Sequence, residues 1–137
     1  MNEDEELALS RAIEDILVAR NPRGMKTVQP HLEAGYCLRA ARKLQPCRGN
    51  ILIGTGFPVV RTFETDGPVG AIAMYEAFEK LGATPTIVCG RPLSQALAAR
   101  YRVHEISVGD HDRREHEALE ALQKFQPEAI ISIERPG

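Results

Sequence analysis

An α/β fold is predicted for this chain: a parallel, doubly wound sheet of about four strands, preceded by two N-terminal helices. Three observations carry the prediction. From Asn50 onward, short apolar runs alternate with longer helical stretches. Those runs lack polar alternation, as in strands covered on both faces. Before Asn50 the apolar residues show only helical spacing.

Taken in order, Glu5 to Arg20 carries Leu9, Ile13, Ile16 and Leu17 at helical spacing, behind an acidic start that suits the positive end of the helix dipole. Asn21-Pro22-Arg23-Gly24 breaks the pattern. A second helix is expected from about Leu32 to Leu44, entered by Pro30 and ended by Gln45-Pro46. Its Gly35 costs about 1 kcal/mol against alanine. Arg48-Gly49-Asn50 then turns into a first strand, Asn50–Gly54. Val69–Leu81 reads as a helix burying Ala71, Ile72, Tyr75 and Phe78, with Gly82 suited to a left-handed C-cap.

Pro85–Cys89 is the second strand and Pro92–Tyr101 an Ala-rich helix, started by Pro92 in its first turn. Val103–Val108 is a third strand. Asp112–Phe125 is a helix turning Leu119, Leu122 and Phe125 inward, and Ala129–Ile133 is the fourth strand. Right-handed crossovers make such a sheet parallel and Rossmann-like. Residues 1–137 are expected to form one domain, with 1–48 a helical segment and 49–137 the α/β part.

Bulk properties exclude several classes. A formal net charge of -2 gives no electrostatic reason to expect a nucleic acid or an anionic membrane as partner. The clusters Arg39-Arg42-Lys43 and Arg113-Arg114 read as solvated helix faces. No apolar run reaches the length of a membrane span. The start, Met1-Asn2-Glu3-Asp4-Glu5-Glu6, is the opposite of a basic targeting peptide. Cys37, Cys47 and Cys89 fit reduced thiols of a cytoplasmic protein, the first and last in the core and Cys47 in a loop.

The chemistry concentrates between Gly54 and Gly70. Gly54-Thr55-Gly56-Phe57-Pro58 leaves the first strand, and Glu64-Thr65-Asp66-Gly67-Pro68 leads into the next helix. With a strand order of 3-2-1-4, the order reverses between the first and fourth strands, where ligands of doubly wound sheets bind. The loop would then face Glu134-Arg135 across one crevice. Gly54 and Gly56 allow close backbone approach. Thr65 or Asp66 can cap the helix that Pro68 helps to start, leaving backbone N–H groups for a carboxylate or phosphate. Glu64 and Asp66 suit an ammonium, a proton transfer or a hard divalent cation, and Arg135 suits a carboxylate.

Blander readings stand beside these. Glycine after a strand is often only a turn, Asp66 is a good helix cap, and Glu64 is typical of a solvated loop tip. Neither a full Gly-x-Gly-x-x-Gly motif nor a Walker Gly-Lys-Ser/Thr is present. Asp110-His111-Asp112 with His116 fits a helix cap followed by exposed histidines better than a metal site, because His111 and His116 do not stack on one face. His31 and His104 are isolated.

Thr55-Gly56-Phe57-Pro58-Val59, Glu64-Thr65-Asp66-Gly67-Pro68, Gly70-Ala71, Leu81-Gly82 and the closing Ile133-Glu134-Arg135-Pro136-Gly137 resemble the D-glutamate cyclase-like family, from about Arg23-Gly24 onward. The resemblance implies a hydro-lyase that interconverts D-glutamate and 5-oxo-D-proline plus water. For that reaction, the residue types argue for Glu64 and Asp66 as catalytic residues, with Thr55, Gly56, Thr65, Gly67, Glu134 and Arg135 expected to bind the substrate. Its partner would be a small amino acid, with a divalent metal open as cofactor and no metal ligand assigned. The family's domain continues past the closing motif, so the chain is expected to be the N-terminal half of such a domain. It would form a homo-oligomer or pair with a separate complementary half. The alternative is a non-catalytic module that binds a small carboxylate or a nucleotide.

Overall fold

The computed structural model describes residues 1–20, 23–59 and 62–135. Expectations for Asn21-Pro22 and for Pro136-Gly137 lie outside the described residues. Two compact units are present, Met1–Pro46 and Cys47–Gly137. No helix among the described residues is long and apolar enough to cross a membrane.

In the first unit, α1 spans Glu3–Val18. It starts earlier than its apolar spacing suggests because Asn2 and Glu5 form a capping box: the Glu5 N–H donates to Asn2 Oδ1 and the Asn2 N–H to Glu5 Oε2, both at 2.9 Å. A short α2, Met25–Val28, and a 3-10 turn containing Pro30 follow. The second long helix, α3, begins only at Tyr36 and ends at Leu44. Gly35 lies before it with φ +87°, so this glycine shapes the entry and does not weaken the helix interior.

The apolar residues that mark α1 by their spacing, Leu9, Ile13, Ile16 and Leu17, are exposed, while Ser10, Glu14 and Val18 are buried. A polar contact determines this side. Glu14 accepts from Ser10 Oγ at 2.7 Å and from the N–H groups of Gly35 and Cys37 at 3.0 Å each, and Ser10 Oγ accepts the Leu38 N–H at 2.9 Å. A carboxylate therefore closes the N-terminus of α3, where backbone donors lack helical partners.

Burial pushes the Glu14 carboxyl up, but the bonds from Gly35, Ser10 and Cys37 together outweigh it and hold the pKa below the ordinary value. A depressed folded-state pKa contributes stability above the unfolded value, about 4.3, and that stability is lost as pH falls through the folded value. The amide signals of Gly35 and Cys37 should therefore shift together with a midpoint below about pH 4.3. A midpoint above it, or independent titrations, would contradict the cap.

The second unit is a four-stranded parallel sheet, Rossmann-like in topology. Its strands are β1 (Asn50–Thr55), β4 (Thr84–Cys89), β5 (Val103–Glu105) and β6 (Ala129–Ile133). Their order is β5-β4-β1-β6, which is 3-2-1-4 by position in the sheet's chain order, as expected. Ile51, Ile53 and Ile87 of the central strands have no exposed surface. A two-stranded antiparallel ribbon, β2 (Pro58–Val59) with β3 (Thr62–Phe63), rises from the loop after β1.

Helix α4 runs Asp66–Lys80, beginning before the expected Val69, and buries Ala71, Tyr75 and Phe78 while Ile72 is only half-buried. It ends as expected at Gly82, whose φ is +87°. The Gly82 N–H donates to Glu79 O and the Ala83 N–H to Phe78 O, the paired bonds of a Schellman cap. Helix α5 is shorter than expected, Leu93–Leu97, and α6 spans Arg114–Phe125. Its expected inward residues Leu119 and Leu122 are exposed, and Ala121 is buried. A small side chain at the contact fits a helix lying near a sheet edge, where β6 itself is only half-covered.

Candidate functional site

Chain order and sheet order together bring the ends of β1 and β6 side by side, because Thr55 pairs with Ile133 in parallel register. The two segments that follow are the Gly54–Gly70 loop and Glu134-Arg135. After β1, the ribbon carries the chain out and back: the Glu64 N–H donates to Phe57 O at 3.1 Å, returning Glu64 to the strand's exit. Asp66 then opens α4 as its first residue. Thr65 holds the N-cap position with helical backbone angles and no side-chain capping bond, so the cap expected of Thr65 or Asp66 is not formed. Glu64 and Asp66 are exposed and make no side-chain hydrogen bond among the described residues.

On the β6 side, Glu134 adopts φ +47°, the left-handed region that non-glycine residues rarely occupy. Such a conformation costs on the order of 1–3 kcal/mol and concentrates at functional sites. Its consequence is visible in the neighbours. Glu134 lies against the start of α4, where a Cβ on Gly67 would meet Glu134 Cβ at 3.0 Å. Arg135 lies on the other side of β1, where a Cβ on Gly54 would meet Arg135 Cδ at 3.6 Å. One carboxylate oxygen from each of Glu64, Asp66 and Glu134 lies within 4.8 Å of the others. An ammonium group or a hard divalent cation is the natural counter-charge for three converging carboxylates.

Thr55 and Gly67, both expected to bind the substrate, are buried beside this cluster. Among the described residues Thr55 Oγ1 has no hydrogen-bond partner, and it would lie 3.1 Å from a Cβ on Gly67. Gly67 thus permits the start of α4 to close on Thr55 and Glu134. Gly67→Ala is expected to cost about 1–3 kcal/mol, because both contacts must give way. Chemical denaturation checks this, and an unchanged midpoint would contradict the close packing.

Arg135 also borders a crevice of about 260 Å³ beyond the carboxyl ends of the strands. Gly56, with φ +103°, forms part of its wall, as do Arg91, His111 and Arg114. Sequence reading missed Arg91 and took Arg114 for a solvated helix face; only the strand order shows that the loops after β4 and β5 converge here. Glu105 holds Arg91, accepting from its Nε at 2.8 Å and from Ser94 Oγ at 2.6 Å. Those two bonds, Ser94 first, keep the Glu105 carboxyl below its ordinary pKa. Cys89, fully buried under Gly56, is pushed up to about 11 by burial and is an inert thiol at neutral pH. Asp110 accepts from the Arg113 N–H at 3.3 Å in the turn before α6, whose N-cap position is held by Arg113 without a side-chain capping bond, and the exposed His116 faces Glu120 at 3.7 Å.

Comparison with family models places residues 13–137 in a match to the family described as D-glutamate cyclase-like, C-terminal. Comparisons with curated proteins and with solved structures gave no match.

Proposed function

Because this chain belongs to the D-glutamate cyclase-like, C-terminal family, we propose that it acts on D-glutamate, interconverting it with 5-oxo-D-proline and water. The observation that carries the reading is the convergence of Glu64, Asp66 and Glu134 at the reversal of strand order, beside Arg135.

Ring closure forms a bond between the amino nitrogen and the side-chain carboxyl carbon and breaks one carbon–oxygen bond. Two of the three ammonium protons end on the departing oxygen, which leaves as water. The three carboxylates hold the ammonium, and Glu64 or Asp66 takes a proton to free the nitrogen lone pair. The same acid then returns a proton to the leaving oxygen. Arg135 holds a substrate carboxylate through paired charge-assisted bonds. Fixing amine and carboxyl at near-attack distance lowers the barrier by several kcal/mol, on the order of 7–11 in favourable cases.

The test is a turnover assay with D-glutamate and with 5-oxo-D-proline, alongside calorimetry with both compounds and ATP. Formation of the lactam from D-glutamate supports the cyclase. Carboxylate or ATP binding without conversion supports a non-catalytic binding module instead.

A further inference from the structure

We propose that Arg91, Arg114 and Arg135 form a carboxylate subsite that holds the substrate's α-carboxylate. The proposal rests on the cyclase reading for the identity of the ligand, but its physical basis is independent.

Three guanidinium groups border one crevice, supplied by three separate segments: the loop after β4, the first residue of α6 and the segment after β6. Asp110 is the only carboxylate among the described residues that line it, so the wall carries a net positive charge. Arg114 and Arg135 make neither a hydrogen bond nor an ion pair among the described residues. Their donors are available to a ligand. Arg91 is engaged through Nε by Glu105, itself fixed by Ser94, which leaves its two terminal nitrogens to present a fork. The rest of the wall includes Gly56, Phe63, Gly90, Leu93 and Val108, whose apolar or bare backbone surface offers the guanidinium groups no competing charge.

The left-handed turn at Glu134 separates the two side chains. Consecutive residues Glu134 and Arg135 lie on opposite sides of β1, one toward the acidic cluster and the other toward the crevice. The crevice therefore presents guanidinium donors, and none of the three clustered carboxylates, to a bound carboxylate. The α-carboxylate takes no part in the ring and is present in D-glutamate and 5-oxo-D-proline alike. The arginines are therefore positioning groups for both directions of the reaction.

The experiment is calorimetric titration of the protein and its Arg114→Gln and Arg91→Gln variants with D-glutamate, 5-oxo-D-proline and glutarate. Glutarate lacks the ammonium and reports the arginines whether or not cyclisation occurs. Each variant is expected to weaken all three ligands by about tenfold or more. Arg114→Lys, which keeps the charge without the fork, should fall between. The melting temperatures should stay unchanged, since Arg91 and Arg114 are exposed. Equal affinities in the protein and both glutamine variants would overturn the subsite, as would an absence of binding by all three compounds. Glutarate binding that needs the arginines, without lactam formation, would leave the subsite standing and remove only the cyclase reading.

Discussion

Replacing Asp66 by asparagine is expected to lower D-glutamate turnover about 10²- to 10⁴-fold, the range over which a positioned acid–base group acts. Asparagine keeps the shape of the side chain and a hydrogen-bond acceptor but loses the charge and the ability to take a proton. The fold should survive. Asp66 is exposed and opens α4 without a capping bond, so the change removes only the favourable placement of a negative charge at a helix N-terminus. That is worth about 0.3–1 kcal/mol. Steady-state kinetics beside a thermal melt separates the two effects. Activity within a few-fold of the parent would remove Asp66 from the chemistry.

Ile53→Ala is expected to destabilise the α/β unit by about 2–5 kcal/mol, measured as a shift in the urea midpoint. Ile53 has no exposed surface and lies in β1, paired with Ile87 of β4 on one side and Ile131 of β6 on the other. Truncation removes apolar burial and leaves a cavity that a strand bonded on both edges cannot relax to fill. Against a typical domain stability of about 5–15 kcal/mol, the loss is a large fraction of the whole. The effect on function follows, because β1 delivers the loop bearing Glu64 and Asp66. A loss below about 1 kcal/mol would mean that β1 is not the packed centre of the sheet.

What was legible in the sequence followed from periodicity and turn chemistry. Ala129–Ile133 has the expected bounds because apolar residues run between Gln126-Pro127 and the charged Glu134. The Gly82 cap was readable because a left-handed C-cap demands glycine. The reversal of strand order was legible too, and it explains how two distant segments meet. Less visible were features decided by tertiary contacts. The buried face of α1 is not the one its apolar spacing marks, since Ser10 and Glu14 are held by the backbone at the start of α3, a bond that no hydrophobic pattern records. The burial of Thr55 was not legible in its motif, because it depends on the close approach of Gly67. Arg91 and Arg114 carried no local signal. Their shared crevice exists only once β4 and β5 are placed beside β1.

The acidic cluster joins Glu64 and Asp66 to Glu134 across the β1–β6 edge, and a titration of labelled protein with D-glutamate addresses that site residue by residue. Saturable amide shifts are predicted at Gly56, Glu64, Asp66, Gly67, Glu134 and Arg135. Saturable binding whose shifts fall elsewhere, with these six amides unchanged, would contradict the site.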